Sequence, residues 1–328
     1  IDLPDAIGPW EAAGVIADAD GFVIYGAVND EPAAWTSVDG EIWASMRLPG
    51  FHAAPSQAAT SDTATVLLGV GSTDQCAHPL GEFLWQRAKG QQAWVAAPFV
   101  EDLFCLGGDP RIAATGSAFV VAGSSSGDSP LAWQSGTGLT WVDTSRDLPA
   151  DTLPTVLTAT DAGFLELARG NRADAESSAD GLHWKHVGAP SVGPAFDPNG
   201  NGMSPVALLP DARGVLAFYE PDGGSIPAAF RREADGSWTA VALAGFGEGD
   251  TVLGGTTIGA RTYLFLRRPG AAAVLASNDG STWAPLETPR LDTVSGLAAF
   301  GGHVVLVGAV SAANGDQDSR VFVSLAAP

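Results

Sequence analysis

Short apolar segments recur along the whole chain and are separated by residues that favour turns. Some are apolar throughout, such as residues 119–122 and 304–307. Continuous apolar segments of this kind are typical of strands that are buried on both faces. No part of the sequence shows a helical period of useful length. The pattern therefore predicts an all-β protein whose sheets are covered on both sides.

A short motif with a Ser, an Asp-Gly pair and a Trp separates many of these segments. Its best copies contain Ser37, Asp39, Gly40 and Trp43; Ser178, Asp180, Gly181 and Trp184; and Ser277, Asp279, Gly280 and Trp283. Asp-Gly between apolar segments is a strong signal for a hairpin with a type I′ turn, in which both central residues have positive φ. We expect the Ser and Asp side chains to bond nearby backbone and fix the turn.

Degraded copies of the motif complete a repeat marked by Trp, at residues 87–94, 135–141 and 233–238. Together with Trp10, the marker residues are spaced between 33 (Trp10 to Trp43) and 54 residues (Trp184 to Trp238) apart. A period of about 40–50 residues with four strands per unit is typical of a β-propeller. We predict one domain, a seven-bladed propeller of four-stranded antiparallel blades, with blades at about residues 14–46, 57–97, 111–144, 155–187, 204–242, 251–286 and 293–326.

The two ends of the chain supply complementary fragments of a blade. The last predicted blade lacks a fourth strand, and the segment around Trp10 lacks the three strands that should precede it. We therefore expect residues 7–12 to close the last blade as its outer strand. Closure of this kind leaves no long unpaired strand edge.

The motif resembles the Asp-box (BNR) repeat, whose usual form is Ser-x-Asp-x-Gly-x-Thr-Trp, although here the Gly directly follows the Asp. The resemblance extends over the whole chain at the level of the repeat. Such repeats occur in sialidases, other glycosidases, sorting receptors and plant photosystem assembly factors. The resemblance implies that the boxes are structural and lie on the turns between the third and fourth strands, opposite the functional face.

The catalytic motifs of sialidases are not found in this sequence. Their first Arg precedes the first box, whereas no Arg precedes Arg47 here. The three Tyr residues lie in predicted second strands, where a core position is the stronger interpretation: Tyr25, Tyr219 and Tyr263. The resemblance therefore favours a propeller without identifying a sialidase.

The net charge of the chain limits the kinds of molecule that the protein is expected to bind. The 328 residues carry a formal charge of −21, which argues against nucleic acid and anionic membrane surfaces because both require basic patches. An acidic surface suits solubility, cation binding or a basic partner. No apolar segment approaches the length of a transmembrane helix. Because the chain begins at Ile1 without Met, we expect a processed N-terminus.

Function is expected on the face that carries the loops between the second and third strands and the connections between blades, because binding residues usually lie on loops held by a rigid scaffold. The acidic candidates on this face are Asp30, Glu31, Glu101, Asp102, Asp109, Asp197, Glu220, Asp222, Glu248 and Asp250. A glycosidase would need two carboxylates roughly 5–10 Å apart. Three Trp residues on third strands could stack sugars, although packing between blades is the stronger interpretation: Trp35, Trp85 and Trp133.

Cys76 and Cys105 lie on neighbouring loops of the same predicted face. A disulfide between them is the first interpretation and would indicate an oxidising compartment. A zinc site that also uses His78 and Asp109 has suitable residue types. A reactive Cys-His pair and two buried free thiols are the further alternatives. Oxygen ligands at alternating positions make the loop with Asp197, Asn199 and Asn201 a candidate for calcium, against the alternative of an ordinary surface loop.

The sequence thus predicts a non-catalytic binding or scaffold propeller that needs no cofactor, with calcium as the candidate ion. We expect it to be monomeric, and secreted or associated with the cell envelope. It would dock a protein or glycan ligand on its loop face. The alternative is a glycoside hydrolase, or a related carbohydrate-active enzyme, that uses a carboxylate pair near the central channel.

Overall fold

The computed structural model describes residues 3–4, 10–49, 54–69, 84–98, 106–125, 130–144, 153–169, 174–191, 203–221, 227–311 and 317–324. These residues form seven antiparallel sheets and no helix. Each sheet is a blade whose strands follow chain order from the inside of the ring outwards. The all-β, seven-bladed propeller predicted from the repeat is confirmed.

The first strands of the blades surround the central channel: β1 (Trp10–Asp18), β5 (Pro55–Thr60), β9 (Leu106–Ala114), β13 (Leu153–Thr160), β17 (Met203–Asp211), β21 (Thr251–Ile258) and β25 (Thr293–Phe300). The second strands are β2 (Gly21–Val28), β6 (Ala64–Gly69), β10 (Phe119–Ser125), β14 (Gly163–Arg169), β18 (Gly214–Pro221), β22 (Arg261–Arg268) and β26 (His303–Ser311).

The third strands are β3 (Glu31–Ser37), β7 (Leu84–Ala88), β11 (Pro130–Ser135), β15 (Asp174–Ser178), β19 (Ala228–Arg232), β23 (Ala271–Ser277) and β27 (Gln317–Ser324). The outer strands are short: β4 (Ala44–Arg47), β8 (Val95–Ala96), β12 (Val142–Asp143), β16 (Lys185–His186), β20 (Trp238–Val241) and β24 (Ala284–Pro285). Each inner strand contacts the inner strand of the next blade, and β25 contacts β1, so the ring is closed.

The hydrophobic core is divided into clusters that lie between consecutive blades. The cluster between blades two and three, for example, packs Val66 and Leu84 against Phe119, Trp133 and Trp141. The second strands supply side chains to the clusters on both of their faces, which explains why they are apolar throughout. The three Trp residues of the third strands are buried in these clusters, as the sequence predicted.

We expected residues 7–12 to close the last blade as its outer strand. The structure describes residues 10–12 of this segment, and for them the prediction is wrong. Trp10 pairs with Val28 and Ala12 pairs with Gly26, so these residues begin the inner strand β1 of the first blade. The ring of Trp10 packs edge-to-face against Trp35, with ring centroids 5.8 Å apart. In the described residues the last blade contains three strands, β25, β26 and β27.

The box turns are held as predicted, but their type is different. Asp39 accepts hydrogen bonds from the backbone N–H groups of Glu41 and Ile42, both at 2.9 Å, and Ser37 Oγ accepts one from Gly40 N–H at 2.8 Å. Gly40 has a φ of 78°, whereas Asp39 is not among the residues with positive φ. The expected type I′ turn is therefore wrong. The box is a longer loop that ends at Trp43, just before the outer strand.

Each complete box also packs against the preceding blade. A Cβ atom added to Gly181 would lie 2.6 Å from Val120 in blade three, and one added to Gly280 would lie 2.6 Å from Leu216 in blade five. Glycine is required there both by the positive φ and by this close approach. The boxes thus join neighbouring blades, in agreement with a structural role.

Candidate functional site

The two faces of the ring differ in how uniform their connections are. The face that carries the boxes also carries the turns between first and second strands, and we call it the box face. The opposite face, the loop face, carries the loops between second and third strands and the connections between blades. In the sequence, the loop from β6 to β7 is much longer than the two-residue turn from β2 to β3. This variation on a uniform scaffold directs the search for a site to the loop face.

The Asp side chains of the boxes form hydrogen bonds within their own turns. The backbone N–H groups of Thr282 and Ser281 hold the pKa of Asp279 well below its usual range, and each lies 2.8 Å from Asp279 Oδ1. The side chain of His183 and the same kind of backbone bonds lower the pKa of Asp180. These acids stay ionised as turn-forming groups, which leaves them unsuited to acid–base catalysis at neutral pH.

At the loop-face end of the inner strands, a register irregularity recurs in each blade, as between Pro55 and Gln57 or between Pro154 and Val156. A β-bulge of this kind turns backbone groups away from the ladder. Three side chains bond to this region of the next blade along the chain, and we call them together the loop-face rim. It is defined by Gln57, Arg111 and Glu220.

Two members of the rim connect blades two, three and four. The side-chain amide of Gln57 donates to Pro110 O at 2.6 Å and accepts from Ile112 N–H at 3.2 Å. Arg111 Nε donates to Thr155 O at 3.1 Å in the next blade. These hydrogen bonds orient Gln57 and Arg111 against the neighbouring blade. Both side chains are half-buried and therefore remain accessible to solvent.

The third member, Glu220, lies between blades five and six. Its Oε1 atom accepts a hydrogen bond from Val252 N–H at 2.6 Å. Partial burial raises the pKa of Glu220, and the Val252 bond and the charge of Arg267 oppose that rise. An oriented amide, a guanidinium and a carboxyl group on one rim can donate to and accept from a polar ligand.

Of the acids predicted for this face, Asp250 is structural. It is buried and forms a salt bridge with Arg268, with Asp250 Oδ2 and Arg268 Nη2 3.0 Å apart. Asp250 Oδ2 also accepts from Gly247 N–H at 2.9 Å, which closes the connection between blades five and six. Glu248 lies on this connection and is exposed.

Asp30, another of the predicted acids, is part of a hairpin turn. Asn29 and Asp30 have φ angles of 51° and 64°, and Val28 pairs with Glu31 across them. This is the type I′ hairpin that the sequence analysis had assigned to the boxes. Asp30 and Glu31 are exposed at its tip, on the loop face.

The remaining predicted residues are not brought together by the described part of the structure. Asp109 lies on the inner strand β9, not in the loop where the sequence analysis placed it. Outside the described residues lie Glu101, Asp102, Asp222, the calcium candidates Asp197, Asn199 and Asn201, and the proposed disulfide partners Cys76 and Cys105. Within the described ranges, no group of three or more His, Cys, Asp or Glu side chains could hold a metal ion.

A carboxyl pair does occur, but inside a blade. Glu166 on β14 and Glu176 on β15 are register partners, and both are fully buried. Burial and then the charge of Glu176 raise the pKa of Glu166 well above its ordinary value. Burial, with a smaller effect of Asp174, raises the pKa of Glu176 to about 7. A sugar could not reach this pair, so it does not supply the carboxylates of a glycosidase.

The pocket at the box-face end of the central channel is lined by side chains that cannot act as acids or bases. A pocket of about 360 Å³ there is lined by aliphatic, Gly and Thr residues of β1, β21 and β25, such as Ile16, Thr257 and Ala298. Tyr25, Tyr219 and Tyr263, which a sialidase would need as nucleophile, are buried in the clusters between blades. Their core position was predicted from the sequence.

Comparisons with known proteins identify the fold. No family model matches the chain, and no curated protein matches it. Among solved structures, it is similar to a streptogramin B lyase at 12% identity, over 99% of this chain and 96% of that one, with a TM-score of 0.62. It is also similar to the SapL1 lectin in complex with α-methyl fucoside, at 15% identity, 85% and 96% coverage and a TM-score of 0.53.

A third similar structure is the extracellular domain of a one-component system from B. thetaiotaomicron. The identity is 12%, the match covers 98% of this chain and 39% of that one, and the TM-score is 0.56. The three proteins are named as a lyase, a lectin and an extracellular domain, so the shared fold does not select one activity. The chain is thus a seven-bladed propeller whose structural neighbours include a lectin and an extracellular domain. No helix among the described residues could span a membrane.

Proposed function

We propose that this protein is a non-catalytic, extracytoplasmic binding propeller that docks a glycan on its loop face. The observation that carries the proposal is the loop-face rim, where Gln57, Arg111 and Glu220 present hydrogen-bonding groups oriented by neighbouring blades. Sugar hydroxyls both donate and accept hydrogen bonds, which suits this mixture of groups. Groups that are oriented before binding lose little conformational entropy when a ligand docks.

The similar lectin and extracellular domain support this proposal at the level of the fold. The net charge of −21 favours a neutral or basic ligand over an anionic one. A protein ligand on the same face is the alternative within the binding class. For the glycoside hydrolase alternative, the described carboxyl pair with raised pKa values is buried at Glu166 and Glu176, and no observation favours it.

A printed glycan array tests the proposal when it is run beside a panel of chromogenic glycosides. We expect binding to a neutral or amino-sugar glycan without turnover. Glu220→Gln should weaken that binding at least tenfold with little change in melting temperature, because it alters one rim group that lies outside the main core clusters. The matched control is Asp39→Asn on the box face, which should leave binding unchanged.

Three results would contradict the proposal. Turnover of a glycoside would favour the enzyme alternative. Equal loss of binding in the Glu220 and Asp39 variants would show that the rim is not the site. An array without any bound glycan, combined with capture of one defined protein that Glu220→Gln releases, would move the ligand from the glycan class to the protein class.

A further inference from the structure

The junction between blades three and four is built differently from the three junctions before it, which join blades seven and one, one and two, and two and three. Each of those three contains a Trp from the middle of a third strand: Trp35, Trp85 and Trp133. Trp35 lies two residues before Ser37 of its box, and Glu176 lies two residues before Ser178 of its box. A buried Glu therefore takes the place of a side chain that buries about 150–250 Å².

The second strand of blade four adds another acid at the same level. The second-strand partners of the three Trp residues are apolar: Ile24, Leu67 and Val121. The partner of Glu176 is Glu166. Register partners of antiparallel strands lie on one face of the sheet, and Leu157, the inner-strand partner of Glu166, packs into the cluster between blades three and four. Both carboxyl groups therefore lie on the face of blade four that meets blade three.

Blade three contributes mainly small side chains to this junction. Its buried members of the cluster are Ala113, Ala118, Val120, Ala122 and Ala132. None of the four carboxyl oxygens of the Glu pair has a hydrogen-bond partner among the described residues. The junction thus has little apolar area to hold it closed, and it buries polar groups that water would satisfy.

The charged groups on blade four that surround the pair do not neutralise it. His186 is the register partner of Glu176 on the outer strand. Asp174, two residues before Glu176, is bonded to His186, with Asp174 Oδ1 and His186 Nδ1 2.5 Å apart. The side chains of His186 and Asp174 are 61% and 33% exposed, so solvent lies at the outer side of the buried pair.

The facing charge on blade three is Arg111, the register partner of Ala122. Its Nε atom donates to Thr155 O, which ties it to the inner strand of blade four. Burial raises the pKa of Glu176 to about 7, and burial and the charge of Glu176 raise the pKa of Glu166 well above its ordinary value. The pair is therefore neutral in acid and acquires charge towards alkaline pH without a bonded cation.

We propose that the junction between blades three and four is a proton-controlled seam, at which the ring opens locally when Glu166 and Glu176 lose their protons. The closed junction favours the neutral carboxyl groups, and the open junction lets water solvate the charged ones. For Glu176, the equilibrium constant for opening should rise by up to about tenfold per pH unit between its ordinary pKa of 4.5 and about 7. Because Arg111 bonds Thr155 across the seam, opening also alters the loop-face rim, and this consequence alone rests on the proposed function.

The test introduces Ala132→Cys, at a fully buried position of blade three that faces the seam. Its reaction with methyl methanethiosulfonate is followed by mass spectrometry of the peptide that contains it, at pH 5 and pH 8. The matched control is Ala34→Cys, which is also fully buried, lies one residue before Trp35 as Ala132 lies one residue before Trp133, and faces blade two. Each Cys is studied with the native Glu pair and with Glu166→Leu and Glu176→Leu together.

We expect the Ala132→Cys thiol to react at least tenfold faster than the Ala34→Cys thiol at pH 8 in the protein with the native pair. We also expect the Leu pair to slow the reaction at Ala132→Cys at least tenfold more at pH 8 than at pH 5. Comparing proteins at one pH cancels the intrinsic reactivity of the thiol. Glu176→Gln, which cannot ionise, should act in the same direction and serves if the Leu pair disturbs packing.

Two results would overturn the proposal. Equal rates at the two cysteines at pH 8 would show that the whole ring unfolds and that no junction opens separately. An effect of the Leu pair that is the same at pH 5 and pH 8 would show that protons do not control the opening. The labelling needs no ligand, so its outcome is independent of whether a glycan binds the loop face.

Discussion

Replacing Glu166 and Glu176 together by Leu is expected to stabilise the fold, and to stabilise it more at pH 8 than at pH 5. Both side chains are fully buried, and none of their four carboxyl oxygens has a hydrogen-bond partner in the described part of the structure. In blade six the equivalent register partners are Leu264 and Leu275, which are also fully buried. The double substitution thus copies a pair that this fold already accommodates.

The magnitude follows from the raised pKa values. Burial raises the pKa of Glu176 from 4.5 to about 7, so the unfolded chain loses this proton at a lower pH than the folded protein does. The free energy of unfolding therefore falls as the pH rises from about 4.5 to about 7, by at most about 1.4 kcal/mol per pH unit. For Glu176 this amounts to at most about 3 kcal/mol, and the raised pKa of Glu166 acts in the same direction.

Urea unfolding of the wild-type protein and the double Leu variant between pH 4.5 and 8 measures the effect. At pH 8 the variant should be more stable by up to about 3 kcal/mol, equivalent to a rise of at most about 4 °C in melting temperature for a chain of this length. A double Gln variant is the control, because it removes the ionisation and keeps the buried polar groups. If the difference between wild type and the Leu variant were the same at pH 5 and pH 8, the assignment of a buried, proton-retaining pair would be refuted.

Three further predictions concern the joints between blades. Trp43→Ala should lower the free energy of unfolding by about 3–5 kcal/mol, because Trp43 is buried between blades seven and one. Val38→Ala in the same box should change it by less than about 0.5 kcal/mol, because Val38 is 71% exposed. Urea unfolding compares the two variants, and equal losses would contradict the packing argument. Asp279→Ala should lower the free energy of unfolding by about 1 kcal/mol in the same assay and leave ligand binding unchanged. Loss of binding with unchanged stability would show that the box is not structural. Arg87→Met should lower the free energy of unfolding by about 3–5 kcal/mol, because it leaves the buried Asp18 carboxylate without its ion pair. Adding Asp18→Asn should restore much of that stability. A double variant as unstable as the single one would show that the unpaired charge is not the cause.

Much of the architecture could be predicted because its signals are local. The Asp-Gly boxes and the apolar second strands recur with one period, and each depends on residues within a single hairpin. The boundaries of the outer strands were less accurate. A two-residue turn at Asp39 and Gly40 would have placed Trp43 in the outer strand of the first blade. That strand, β4, begins only at Ala44, because the box side chains bond a longer loop.

The candidate site was only partly predictable. Glu220 was recognisable as an acid near the end of a second strand, but Gln57 and Arg111 became members of the loop-face rim through bonds to the neighbouring blade. The only signal for them in the sequence is a polar side chain within an inner strand that is otherwise rich in small residues. Among the predicted acids, Asp250 could not be recognised as structural, because its partner Arg268 lies on another strand.

The sequence by itself determined the all-β class, the number of blades and the burial of the second strands. These properties follow from turn chemistry and hydrophobic period, which act over a few residues. Only the tertiary structure decided that Trp10–Asp18 is an inner strand, that the last blade has three strands among the described residues, and that Glu166 and Glu176 face each other inside a blade. These facts depend on pairing between distant segments, and a short apolar segment such as the one at Trp10 has the same local propensity in an inner or an outer strand.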